Sequence, residues 1–383
     1  MAFPESIDTE RNSYKLLKLA FTYDRYSDRL KEGIAPENCL EFQSESAIED
    51  LATALRKLGT VEMVGGIKSL TKFLASAKLD WDLVFNFAEG YGTVGREAQV
   101  PALLEAYGIP FAFSDSAVMA LCMDKAKAKM VCEHFRIPTA PFASIQPRNT
   151  WPRSGFNPLA AIESSVHAEA LKTFPLFVKP ATISSGIGIG KINKVNNSED
   201  LAKAIEEVSS QYPMHALLVE TFLSGKEFTV SILGSGDQAR VLGVRELVFV
   251  SEGGLPPNST YTVDKNEEYF QQNVYGIGNK FGMDMSRPNP WPRDMDLNDP
   301  ESKTITKVAL NAWKALGCRD AGRVDIRLDT KDPLKAVPNF IEVNTLPGMI
   351  RGRSDFVRMA EHHGIEYDEL VGMIVEQALK RYR

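Results

Sequence analysis

Arg323-Val324-Asp325-Ile326-Arg327-Leu328 and Phe340-Ile341-Glu342-Val343-Asn344 form the two halves of the stretch from which the rest of the chain is read. Each half alternates polar and apolar residues, the period-two pattern of a strand with one wet face and one buried face. Arg323, Asp325 and Arg327 share a face of the first half, and Glu342 and Asn344 share a face of the second. Between them Thr330-Lys331-Asp332-Pro333 carries turn chemistry, so an antiparallel hairpin is expected. Paired in that way, Asp325, Glu342 and Asn344 converge, with Arg323 close by. A few hard oxygen donors suit Mg²⁺, which keeps part of its water shell and takes further ligands from substrate phosphates. Taken alone, the hairpin fits ordinary solvated charges better than a metal site.

The 383 residues allow two or three domains with a sizeable core. Apolar residues make up 44% and charged residues 25%, the balance of a globular protein. A net charge of −6, with no basic block, speaks against a nucleic-acid partner, so any phosphate site must be local. Cys39, Cys122, Cys132 and Cys318 are widely spaced and form no metal pattern; free thiols in a reducing compartment are expected. The first residues lack a basic start followed by an apolar run, and no apolar run approaches the roughly 18 residues that span a bilayer. A cytoplasmic location without membrane contact is the expectation.

Along the chain, residues 16–23, 60–64 and 83–87 read as strands, separated by helical patterns over 48–58 and 70–77. That alternation argues for a parallel sheet with helices on its faces. The polar turn Ala88-Glu89-Gly90 to Glu97 follows the third strand, where open α/β sheets bind ligands. A long helix is expected from Ser116 to about Phe135, carrying Met123-Asp124-Lys125, and residues 146–163 read as a surface insertion. The strand at 174–180 ends in Lys179-Pro180 and runs into Ser184-Ser185-Gly186-Ile187-Gly188-Ile189-Gly190-Lys191. Alternate glycines give backbone N–H groups that can close on phosphate, although the spacing fits neither a Walker A loop nor GxGxxG. A helix at 198–208, a strand at 216–223, loops over a cleft across 252–303, a helix at 303–316 and a closing helix from Tyr367 complete the reading. Boundaries fall near 115 and 220, giving segments 1–115, 116–219 and 220–383. The five histidines form no convincing catalytic constellation.

Five motifs carry a resemblance. They are Met123-Asp124-Lys125, Phe177-Val178-Lys179-Pro180 with the glycine loop, Leu218-Val219-Glu220 through Val230, Gly322-Arg323-Val324-Asp325, and Glu342-Val343-Asn344-Thr345-Leu346-Pro347-Gly348. In order and interval, over about residues 80–383, the chain resembles the ATP-grasp superfamily and within it the D-alanine–D-alanine ligase family. The resemblance implies an α/β, three-domain ATP-grasp architecture with an N-terminal parallel α/β domain, and ATP held between the second and third domains. It implies phosphate contacts from Lys125, Lys179 and Lys265, adenine recognition by Glu220 and the backbone at Leu223, and ribose contact by Glu227. It further implies two Mg²⁺ ions (or Mn²⁺) on Asp325, Glu342 and Asn344, with Arg323 steadying the transferred phosphoryl group and Ser185 orienting the first substrate. The implied activity is amide-bond formation between amino acids, or small peptides, through an acyl phosphate, and the family suggests a homodimer. Two other readings share the motifs: a carboxylate kinase that stops at the acyl phosphate, and a nucleotide-binding module without turnover.

The amino-acid pockets depart from the family pattern. Arg25 stands nearest the place of a family glutamate after the first strand, with Asp24 and Asp28 as alternatives. The family's His-Gly is replaced by Glu89-Gly90, and the chain after Gly348 runs through Arg351, Arg353 and Ser354. Arginine grips a carboxylate through two parallel bonds. Glu89, Arg351, Arg353 and Ser354 are therefore candidate substrate contacts, and the substrates need not be two D-alanines.

Overall fold

The computed structural model describes residues 16–35, 39, 41–76, 79–152, 157–183, 188–248 and 291–382. Three sheets organise them. The first is parallel, in the order β2-β1-β3, from β1 (Leu17–Tyr23), β2 (Gly59–Met63) and β3 (Leu83–Phe87). β3 is buried along its length, as expected for a strand covered on both faces. Helix Glu45–Arg56 packs its Ile48, Leu51 and Leu55 stripe on this sheet, and Ser44 caps it by accepting from the Ala47 N–H.

The second sheet is antiparallel, in the order β4-β7-β5-β6, from β4 (Phe142–Ile145), β5 (Leu176–Pro180), β6 (Lys194–Val195) and β7 (Leu217–Thr221). Helix Ser198–Gln211 covers one face with Leu201, Ala204, Ile205 and Val208. Helix Leu159–Glu163 drives Ile162 into the same core, so part of the expected insertion is structural.

The third sheet is the hairpin's own. Its order is β10-β9-β8-β11-β12, from β8 (Glu227–Leu233), β9 (Arg240–Val248), β10 (Trp291–Asp294), β11 (Ala321–Leu328) and β12 (Pro338–Asn344). The expected hairpin is present, with Arg323 opposite Asn344 and Asp325 opposite Glu342. A register shift follows: Ile326 faces Phe340, leaving Ile341 as the extra residue of a bulge. The bulge lets fully buried Phe340 join Val324 and Ile326 in the core while Glu342 and Asn344 stay on the other face.

Two expectations need correction. Residues 116–135 are two helices, Ser116–Met123 and Lys125–His134, not one. Asp124 breaks them: its backbone is extended, and its carboxylate caps the second helix by accepting from the Lys127 N–H at 3.2 Å. The region expected as cleft loops ends in a strand, β10, whose Pro292 is tolerated because β10 is an edge. Residues 249–290 lie outside the described residues.

Packing crosses the sequence segments. Cys122, Ala128 and Cys132 join the core of the third sheet, and the closing helix Tyr367–Lys380 buries Leu370, Ile374 and Ala378 with the core of the first. β7 ends at Thr221 in the second sheet and β8 begins at Glu227 in the third, so the chain changes sheets between them. Among the described residues no helix is long and apolar enough to cross a membrane.

Candidate active site

Side chains of alternate residues leave a sheet on one face, and in the third sheet that face is charged. One row of paired residues crosses all five strands: Asp294, Arg245, Thr229, Asp325 and Glu342. The next row holds Gly243, Ser231, Arg323 and Asn344, and Arg327 lies opposite Glu227 in another. The opposite face is apolar, with Phe228, Val230, Val324 and Ile326 packed on helix Pro300–Ala315. The sequence pattern therefore sorts chemistry from core strand by strand.

Asn344 Nδ2 donates to Asp325 Oδ2 at 3.1 Å, and an Arg323 guanidinium nitrogen stands 3.4 Å from the same oxygen. Arg323 Nε donates to Thr229 Oγ1 at 3.0 Å. Glu342 Oε2 lies 3.0 Å from Lys125 Nζ, which also donates to the Ile183 carbonyl at 2.7 Å. The break at Asp124 makes this reach available, because Lys125 starts its helix and its N–H donates to the Ala181 carbonyl. The three oxygen-bearing side chains and the lysine thus meet at one end of the hairpin.

A second group lies between the last-but-one helix turn of Lys125–His134 and the second sheet. Lys179 Nζ is 2.6 Å from one oxygen of Glu220, and Lys129 Nζ is 2.8 Å from the other. Lys129, fully buried, also donates to Thr139 Oγ1 at 2.7 Å. Burial would raise the Glu220 carboxyl, but the two ammonium groups overcome it and hold it down at about 2. Lys129 was not anticipated from sequence. It lies one helical turn past Lys125, and that i,i+4 spacing is the signal that could have found it.

Glu227 accepts from Arg327 at 2.7 Å, and the Arg327 guanidinium lies 5.1 Å from the Phe222 ring centre. Burial pushes the Glu227 carboxyl up against the pull of Arg327. Leu223 is buried in the link between β7 and β8, whose backbone is tied to Pro175 and Asp329 on either side.

The loop after β3 brings carboxylates towards the Lys125 end. Arg96 lies 2.6 Å from Glu41 and 3.5 Å from Glu97. Burial pushes Glu97 up to about 7, with Arg96 opposing and Glu41 adding to the rise, and Lys125 and Glu342 are close enough to bias it. Glu89 is held well above the usual carboxylate range, by burial first and then by Glu97 and Glu41. Asp24 is committed elsewhere: it accepts from Arg29 at 2.6 Å and from the Gly90 N–H at 2.8 Å. Gly90 has φ +67°, and a side chain there would collide with the Arg96 carbonyl.

The remaining candidates are not gathered with these. Arg351 is exposed, 3.6 Å from Asp368 and over the Tyr367 ring, and Arg353 is exposed beside it. Ser354 Oγ accepts from the Ile350 N–H at 2.9 Å, an interaction that shapes the loop. Ser185 and Lys265 lie outside the described residues.

The donor set can be tested against a metal. Among the described residues no three His, Cys, Asp or Glu converge as a metal centre. Two carboxylates and an amide do converge, an all-oxygen set too small to saturate a cation by itself. Such a set fits Mg²⁺ completed by phosphate oxygens and water.

Lys125, from the helix Lys125–His134, reaches the acids on the third sheet's polar face, and Lys179 of the second sheet pairs with Glu220. Residues 131–376 match the family model described as the D-ala D-ala ligase C-terminus. The D-alanine–D-alanine ligase of Pelotomaculum thermopropionicum is 31% identical over 290 residues, covering 76% of this chain and 78% of the relative. That of Xylella fastidiosa is 28% identical over 320 residues, covering 83% and 88%. The crystal structure of D-alanine–D-alanine ligase from Bacillus anthracis complexed with ATP aligns with TM-score 0.66 over 96% of this chain and 98% of that one. At 21% identity that likeness shows the fold alone. The chain belongs to the D-alanine–D-alanine ligase family, ATP-dependent ligases that form carbon–nitrogen bonds.

Proposed function

We propose that this chain uses ATP and Mg²⁺ to join the carboxylate of one amino acid to the amine of another through an acyl phosphate. The observation that carries the reading is the convergence of Asp325, Asn344, Arg323, Glu342 and Lys125 at one end of the hairpin. A carboxylate is a poor electrophile. Attack of its oxygen on the γ-phosphorus of ATP releases ADP and leaves an acyl phosphate. The second amino acid's amine then attacks the carbonyl, loses a proton and expels phosphate. Phosphoryl transfer asks little covalent chemistry of the protein; positioning and fixed charge dominate.

In this assignment Asp325, Glu342 and Asn344 hold Mg²⁺, which neutralises charge on the phosphates. Arg323 and Lys125 face the transferring group, and Lys179, backed by the buried Glu220–Lys129 pair, faces the remaining phosphates. Glu220 spaces the two lysines and, with the backbone at Leu223, meets the adenine, and Glu227 meets the ribose. Ser185 and Lys265 keep their roles from the family resemblance, as do the two-ion count, Mn²⁺ as a substitute and a homodimer. Segments 1–115, 116–219 and 220–383 remain the proposed domains, with the first supplying the loop of Glu89 and Glu97 to the substrate side. Because that loop is carboxylate-rich where the family pattern has His-Gly, the substrates are proposed to be amino acids or small peptides other than a D-alanine pair.

The test is incubation with ATP, Mg²⁺ and single or paired D- and L-amino acids, reading ADP, phosphate and product by mass spectrometry. A dipeptide formed in step with ADP is expected. ADP with a hydroxylamine-trapped acyl group and no amide would instead make the chain a carboxylate kinase, and a dominant D-alanyl-D-alanine product would refute the altered specificity.

A further inference from the structure

Arg245 is 1% exposed, on β9, and neither the sequence motifs nor the reaction scheme gives it a task. A guanidinium buried this deeply must be paired, because an unpaired charge out of water is strongly disfavoured. Two aspartates pair it. Asp294 of β10 accepts from Nε and from one terminal nitrogen at 2.8 and 2.9 Å, a fork-to-fork contact between row neighbours. Asp355, the first residue of helix Asp355–His362, accepts from the other terminal nitrogen at 2.9 Å. That helix lies close on the polar face because β9 has Gly243 beneath it, where a Cβ would come within 2.9 Å of Met359.

Asp355 does not stop at Arg245. Its second oxygen is 4.0 Å from one terminal nitrogen of the Arg323 guanidinium, and Asp325 is 3.4 Å from the other. Thr229, the row neighbour of Arg245, is the residue that receives Arg323 Nε. The two arginines are thus linked through the Asp355 carboxylate, 2.9 Å from one and 4.0 Å from the other. We propose that Arg245 and Asp355 are positioning residues for Arg323: Arg245 fixes the Asp355 carboxylate, and that carboxylate screens the two guanidiniums and aims Arg323 at the transferring phosphoryl group. The inference rests on the function proposed above. A guanidinium misplaced by about 1 Å weakens transition-state stabilisation while leaving nucleotide binding nearly intact.

The experiment measures kcat and KM for ATP from ADP formation, using the amino-acid pair that the wild type turns over fastest, for Asp355→Asn, Arg245→Gln and the double variant. Thermal unfolding is followed in parallel. Each single change is expected to lower kcat about tenfold with KM for ATP within about twofold, and the double variant to lose about tenfold rather than 100-fold, since both act through one contact. Asp355 is partly exposed at a helix start, so Asp355→Asn remains informative if Arg245→Gln fails to fold. Unchanged kcat in folded Asp355→Asn, or losses that multiply in the double variant, would overturn the proposal. Absence of any wild-type turnover would remove the proposed function itself, a different result from an active wild type with indifferent variants.

Discussion

Glu220 stands between two lysines, with Lys179 at 2.6 Å on one oxygen and Lys129 at 2.8 Å on the other. The carboxylate is what holds two buried ammonium groups side by side. In the proposed cycle the arriving phosphates share that task, so the lysines are held ready at low reorganisation cost.

Glu220→Gln removes the charge that, among the described residues, balances the pair, leaving two lysines to repel one another. Breaking a buried ion pair by removing one partner costs about 3–5 kcal/mol. Chemical denaturation should show a loss of that size, and addition of ATP with Mg²⁺ should recover part of it, because phosphate charge replaces the carboxylate. In the wild type the depressed Glu220 carboxyl, held at about 2, contributes stability that is present above its unfolded value near 4.5. That contribution is lost as pH falls from about 4.5 towards 2.

Glu97 runs the other way. Its carboxyl is raised to about 7, so the folded chain binds a proton that the unfolded chain has released. Stability referred to this group is full below about pH 4.5 and falls as pH rises through 7, by a few kcal/mol at most. Glu97→Gln should flatten the stability profile between pH 5 and 8. A profile with the same slope in the variant would place the titration on another group.

The break at Asp124 ties stability to activity. Asp124→Ala should cost about 1 kcal/mol, the usual loss for an N-cap, and should also lower kcat because Lys125 no longer starts its helix in the right place. Ser44→Ala removes an equivalent cap from helix Glu45–Arg56, which packs on the first sheet. It should cost the same stability with kcat unchanged. Measuring both variants separates the local role of the cap from its role in aiming Lys125.

Asp325→Asn and Glu342→Gln leave the fold's apolar face untouched, so thermal unfolding of the free chain should shift by only a few degrees. Product formation should fall by at least about 100-fold, since each change removes charge aimed at the transferring group. Chelation of Mg²⁺ should abolish turnover in the wild type and be fully reversed by added metal.

The hairpin was legible because its period-two pattern fixes which residues share a face and its turn chemistry marks the reversal. The first, parallel sheet was legible from short apolar runs separated by helical patterns. What escaped depended on contacts distant in sequence. The bulge at Ile341 is set by the fit of Phe340 into the core, which no local pattern encodes. The break at Asp124 was hidden because residues 116–134 stay helix-compatible throughout, and only the pull of Ala181 and Ile183 on Lys125 shows its use. Lys129 and Arg245 look like ordinary charged residues until three-dimensional pairing shows them buried. Arg351 was the converse case: in sequence it sits beside the last motif, yet its guanidinium turns to Asp368 and Tyr367.

The central claim is that a substrate carboxylate oxygen attacks the γ-phosphorus before the amide forms, and oxygen tracing reads that step directly. An amino acid labelled with oxygen-18 in its carboxylate is turned over with unlabelled ATP, and the released phosphate is weighed by mass spectrometry. The account requires one labelled oxygen in each phosphate released with amide product. Unlabelled phosphate alongside amide product would contradict it.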